Sequence, residues 1–119
     1  MKAVKCLDNI KLSRLLDCYG DFLTEHSKNV LEQHINDDYS LSEIAERENI
    51  SRQGVRDGIQ RAKSTLLDME SKLGIVDRAD RLMMAITQLE QDLANNGELE
   101  KYGEQLAAMK NICEEYYGI

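Results

Sequence analysis

No proline occurs at any of the 119 positions of this chain. A β-rich chain of that length ordinarily punctuates its turns with Gly and Pro. Here the breaks fall at Ser, Thr, Asn, Asp and Gly, and the apolar residues between them recur at spacings of three and four. Ser, Thr, Asn and Asp are helix-capping residues, and the 3/4 spacing is the signature of a helix burying one face. The chain is therefore expected to be all-α.

Composition narrows the class further. At 42% hydrophobic and 31% charged, the chain is globular rather than disordered. No run approaches the roughly 18 to 20 apolar residues that span a bilayer, so no membrane insertion is expected. The opening MKAVKCLDNIKL breaks its apolar residues with Lys5, Asp8, Asn9 and Lys11 and holds no signal-peptide core. Three widely spaced cysteines, Cys6, Cys18 and Cys113, make a poor disulfide framework, and a reducing cytoplasm is the expected setting. Cys18 and Cys113 read as small apolar packing residues. His26 and His34 stand about 12 Å apart along a helix at roughly 1.5 Å per residue, too far to share a metal ion. With no Gly-rich phosphate loop and no nucleophile paired with a histidine, neither an enzyme nor a cofactor is expected.

The apolar spacing divides the chain into helices. A first helix reads from about Leu7 to Leu23, with Leu12, Leu15, Leu16, Tyr19, Phe22 and Leu23 as its inward stripe. Thr24 caps a second, to about Asn36, with Val30, Leu31 and Ile35 inward. The turn at 36–39 ends at Ser40. Together with Glu43, Ser40 makes a capping box before a short third helix, Leu41 to about Glu48. Asn49-Ile50-Ser51 is the next break, and Asn tolerates the left-handed backbone of a tight helix–helix turn. Ser51 caps a long fourth helix to about Leu73, where Val55, Ile59, Ala62, Leu66, Met69 and Leu73 fall within about 80° of one another at 100° per residue. Gly74 closes it.

Residues 75–119 read as two helices around Asn95-Asn96-Gly97. Leu82, Ile86, Leu89 and Leu93 form one seam. Leu99, Tyr102, Leu106, Met109, Cys113 and Tyr116 form the other. The expected organisation is a helix-turn-helix domain over 1–74 and a C-terminal helical hairpin over 75–119, packing on that domain or on a second subunit.

The segment 41–61, LSEIAERENISRQGVRDGIQR, carries the functional signal. A short capped helix bears Ala45, where a second helix crosses closely; a three-residue break follows, with Ile50 in the angle. The next helix starts at Ser51 with Val55 and Ile59 inward. This is the arrangement of a helix-turn-helix, in which the second helix enters a major groove. The side opposite the apolar stripe holds Gln53, Asp57, Gln60 and Ser64, flanked by Arg56 and Arg61, with Arg52 in the first turn. Gln pairs with adenine and Arg with guanine, while Lys63 and the flanking arginines can reach phosphates. The candidate nucleic-acid-binding residues are thus Ser51, Arg52, Gln53, Arg56, Gln60, Arg61 and Lys63. A charged outer face is also what an ordinary solvated helix shows. Gly54 and Gly58 are open to two readings, local looseness or close approach to the preceding helix or to a phosphate backbone.

Charge is distributed unevenly. The net charge of −7 resolves into +3 over 51–63 and −10 elsewhere, of which −5 lies in 75–119. The acidity therefore does not exclude DNA, but predicts weak non-specific binding, strong salt sensitivity and dependence on a dimer. It equally suits a basic protein partner.

The string from Leu15 to Gly74 resembles the YlxM family of small bacterial helix-turn-helix proteins. The resemblance rests on Tyr-Gly-x-x-Leu-Thr at 19–24, Asp-Asp-Tyr-Ser-Leu-x-Glu-Ile-Ala-Glu at 37–46 and Ser-Arg-Gln-x-Val at 51–55. It covers roughly residues 12–74 and is weak in the tail. The helix-turn-helix is also similar, more loosely, to region 4 of RNA polymerase sigma factors. What the resemblance implies is an all-helical, DNA-binding homodimer. It also implies an association with the bacterial signal recognition particle, through its protein or RNA, because the family's genes lie beside the particle's GTPase. The family's recognition helix reads Ser-Arg-Gln-Ala-Val-Tyr-Asp-Asn-Ile-Lys-Arg. Ser51, Arg52, Gln53, Val55, Asp57, Ile59 and Arg61 match it; Gly54, Arg56, Gly58 and Gln60 depart, with Arg56 replacing an aromatic residue.

Overall fold

A computed structural model describes the backbone of residues 2–117 and the side chains of residues 9–115. The described residues form helices and no strand: α1 (Lys2–Tyr19), a 3-10 turn (Gly20–Phe22), α2 (Glu25–Ile35), α3 (Leu41–Glu48), α4 (Arg52–Leu73), α5 (Ile75–Asn95) and α6 (Leu99–Tyr117). None of these helices is long and apolar enough to cross a membrane. They fall into two compact units, Met1–Leu73 and Gly74–Ile119.

In the first unit, α4 is the element on which α1, α2 and α3 all pack. The core is built from Leu12, Leu15, Leu16 and Tyr19 of α1, Val30 and Leu31 of α2, Ile44 and Ala45 of α3, and Val55, Ile59, Ala62 and Leu66 of α4. The starts of α2, α3 and α4 each satisfy one free amide with a side-chain oxygen. The Ser27 amide donates to Thr24 Oγ1 at 3.2 Å, the Glu43 amide to Ser40 Oγ at 3.1 Å and the Gly54 amide to Ser51 Oγ at 2.9 Å.

The first helix departs from its expected course. It begins at Lys2, and it ends at Tyr19 rather than continuing to Leu23. The following turn is tighter than an α-helix, so side chains beyond it lose the 3.6-residue register. Phe22, placed inward by its spacing, is consequently 73% exposed. Buried Gly20 marks the change, since a Cβ there would meet Leu16 Cδ1 at 3.3 Å.

In the second unit, Ile86, Leu106 and Cys113 are buried together, with Met83, Leu93 and Leu99 packed against them. Lys110 Nζ and Glu90 Oε1 bridge α6 and α5 at 2.6 Å. The expected seams are only partly closed, because Leu82, Leu89, Tyr102 and Met109 remain exposed. Gly97, at φ 74°, forms the turn between the helices. Cys18 and Cys113 carry free thiols. The side chains of Cys6 and Tyr116 lie outside the described residues.

Candidate nucleic-acid interface

The turn between α3 and α4 sets the direction of the candidate recognition helix. Asn49 adopts the left-handed conformation (φ 56°, ψ 47°), and its amide donates to the carbonyls of Ala45 and Glu46. The Ile50 amide donates to Ala45 O at 3.0 Å. These bonds satisfy carbonyls at the end of α3 that would otherwise lack partners, and one left-handed residue turns the chain sharply. Three residues after Asn49 the chain is helical again, with Ser51 as cap.

A second set of bonds holds α3 against α2. Gln33 is buried. Its Nε2 donates to Asn29 O at 3.2 Å and to Glu48 Oε1 at 2.6 Å, and its Oε1 accepts from Arg47 Nε at 3.1 Å. The Arg47 guanidinium also lies 4.6 Å from the centroid of the Tyr39 ring. The C-terminal end of α3 is thus tied both to α2 and to the turn that precedes α3.

α4 itself sits close on α2 at Gly58. A Cβ at that position would meet Val30 Cγ2 at 3.1 Å and His26 Nε2 at 3.7 Å. Gly58 therefore serves close helix crossing. Gly54 lies beneath Ile50 and over Ser51, whose Cδ1 and Oγ stand 3.6 Å and 3.2 Å from the corresponding Cβ position.

With that flank buried, Ser51, Arg52, Gln53, Arg56, Gln60 and Arg61 are all exposed. At roughly 100° per residue, Gln53, Asp57, Gln60 and Ser64 project about 140° to 200° from Val55, opposite the core. Arg52, Arg56 and Lys63 lie along one border of this stripe and Arg61 along the other. Ser51 is occupied by its capping bond. Gln53 Nε2 donates to Asp57 Oδ1 at 3.0 Å. Lys63 stands apart from the other candidates: it is half-buried and lines a hollow of about 410 Å³ with His34, Tyr39, Ser40 and Glu43. Arg56, Asp57 and Gln60 border a neighbouring groove of about 400 Å³ together with His34 and Leu41. The sequence reading missed this company of α2 and α3 residues, because nothing in the spacing of either helix signals which groove its end will border. Among the described residues, no group of three or more His, Cys, Asp and Glu is placed to hold a metal ion.

The UPF0122 family, described as "Putative helix-turn-helix protein, YlxM / p13 like", matches residues 7–114. The match extends through α5 and most of α6, well beyond the segment in which the resemblance was legible. A UPF0122 protein of Clostridium novyi (strain NT) is 37% identical over 112 residues, covering 92% of this chain and 97% of its own. A UPF0122 protein of Thermoanaerobacter sp. (strain X514) is 36% identical over 108 residues, covering 91% and 92%. A UPF0122 protein of Acetivibrio thermocellus is 53% identical over 64 residues, covering 54% of this chain and 55% of its own. The family match over residues 7–114 and the near full-length relatives lead to one conclusion: the chain belongs to the UPF0122 family of YlxM/p13-like helix-turn-helix proteins.

Proposed function

We propose that the protein is a DNA-binding regulator that lays the outward side of α4 in the major groove. The observation that carries this reading is the exposed stripe of Gln53, Asp57, Gln60 and Ser64 between two cationic borders, on a helix held by a capped left-handed turn. Side chains in the stripe face base edges, while Arg52, Arg56 and Arg61 reach the phosphates on either side or the guanines near them. Lys63 adds a phosphate contact from beside the α3 start.

A single basic helix on an acidic chain binds weakly, so the reading includes a homodimer that presents two such helices to two half-sites. The exposed apolar residues of α5 and α6, Leu89, Tyr102 and Met109, support the hairpin as the dimer surface. The −5 charge of 75–119 supports a second reading, an interaction module for the signal recognition particle that meets a basic protein or its RNA. Pull-down with and without RNase separates the two, since recovery of the particle's protein without RNA favours the second.

Fluorescence anisotropy with genomic duplex fragments at two salt concentrations tests the DNA reading. Arg56→Ala and Gln53→Ala are expected to weaken binding to preferred fragments. Lys63→Ala should weaken all fragments alike and reduce the salt slope by roughly one. Absence of salt-dependent binding to every fragment refutes it.

A further inference from the structure

We infer that Asp57, held by Gln53, is a specificity-determining residue that selects cytosine in the major groove through the base's N4 amino group; this rests on the DNA-binding reading above. Asp57 is the one acidic residue within 51–63, and it is exposed on the outward stripe, between Gln53 and Gln60 along the helix and on the side of the stripe nearer Arg61. A carboxylate there is unfavourable beside phosphate, and its second oxygen, Oδ2, is suited to accept from a donor on a base edge.

The major groove offers two exocyclic amino donors, cytosine N4 and adenine N6; the remaining polar atoms of its edges are acceptors. Adenine N6 lies between its own N7 and the O4 of the paired thymine, both of which repel a carboxylate. Cytosine N4 has the guanine O6 on one side and a C5–H on the other. Acceptor-only chemistry therefore prefers cytosine.

The bond between Gln53 and Asp57 sharpens this. An ionised carboxylate can only accept, so Gln53 must turn its amide nitrogen toward Asp57 Oδ1, which fixes the amide orientation. The bond engages Asp57 Oδ1 and leaves the second carboxylate oxygen for a base. Gln53 retains its Oε1 acceptor and one N–H, the pair that matches adenine N6 and N7. One helical turn of α4 thus presents an adenine-compatible amide beside a cytosine-selecting carboxylate.

The test is selection of bound duplexes from a randomised library by the full-length protein, Asp57→Asn and Asp57→Ala, with helicity of each checked by circular dichroism. The wild-type protein is expected to enrich cytosine at one position of each half-site. Asp57→Ala should lose that preference roughly tenfold, with other positions unchanged. Asp57→Asn should move the preference toward adenine, the base an amide pairs with. Both variants should also bind non-cognate duplex more tightly, because a negative charge has left the interface. Opposite movements of cognate and non-cognate affinity are the signature of a reading residue, which a merely solvated Asp57 would not produce. Unchanged base preference in both variants, or a uniform change across all sequences, overturns the inference while leaving DNA binding intact. Failure of the wild-type protein to bind any duplex overturns both.

Discussion

The Tyr19 phenol donates a 2.6 Å hydrogen bond to Glu70 Oε1, joining the end of α1 to the C-terminal part of α4 across 51 residues of sequence. The Tyr19 ring is itself in the core at 1% exposure. Tyr19→Phe keeps the ring and removes the bond. The expected cost is about 1 to 2 kcal/mol, seen as a lower urea midpoint with an unchanged slope. An unchanged midpoint would show that the bond makes no net contribution.

The neighbouring Cys18 thiol is affected by the same carboxylate. Burial and then the charge of Glu70 raise its pKa above the ordinary 9.0, and the Tyr19 hydrogen bond lowers it in part. Iodoacetamide should therefore label Cys18 more slowly than an exposed thiol at pH 8, and Glu70→Gln should speed the labelling, measured on the Cys18 peptide by mass spectrometry. The folded state holds this proton more tightly than the unfolded state does. The stability contribution is fully present below pH 9.0 and is lost as pH rises through the folded pKa.

Two glycines of α4 should respond oppositely to alanine. Each gains about 1 kcal/mol in helix preference. At Gly58 the new methyl meets Val30 Cγ2 at 3.1 Å, and Val30 is fully buried, so the fit requires α2 and α4 to move apart. Gly58→Ala is expected to lower thermal stability because the displaced helix costs about 1 to 3 kcal/mol. At Gly54 the nearest atom is Ser51 Oγ, the exposed acceptor of the Gly54 amide, and a shift of a few tenths of an ångström along that bond makes room, so Gly54→Ala should leave stability unchanged or raise it. Equal behaviour of the two variants would contradict the close α2–α4 crossing.

Gln33 should matter more than either charged residue it joins. Gln33→Ala removes partners from both Glu48 and Arg47 and opens a gap in a buried position, with an expected loss of about 2 kcal/mol. Arg47→Ala, at an exposed position, should cost less than about 1 kcal/mol. Chemical denaturation of the two variants decides the order.

The helices of the first unit were largely legible because their breaks carry chemical labels. Thr24, Ser40 and Ser51 cap as their side chains require, and Asn49 takes the left-handed conformation its short amide tolerates. The error at Phe22 came from extending an α-helical period through a turn of different pitch. The Gln33 bonds and the Tyr19–Glu70 bond were not legible, because apolar periodicity says nothing about which polar side chains meet across 14 to 51 residues. At the candidate interface, the outward direction of Gln53, Asp57 and Gln60 followed from counting along a helix. The bond between Gln53 and Asp57 and the half-buried place of Lys63 needed coordinates. In the hairpin the seams were readable, but their incomplete closure depends on how deeply each helix sits on the other.

The crossing at Gly58 separates two kinds of variation in α4. Val55, Ile59, Ala62 and Leu66, which hold the helix, are buried, whereas Gln53, Gln60 and Ser64 are exposed. Substitutions on the outward stripe are expected to fall within about ±0.5 kcal/mol of neutral for folding. A lineage carrying this scaffold can therefore exchange the residues of this stripe one at a time without passing through an unfolded intermediate.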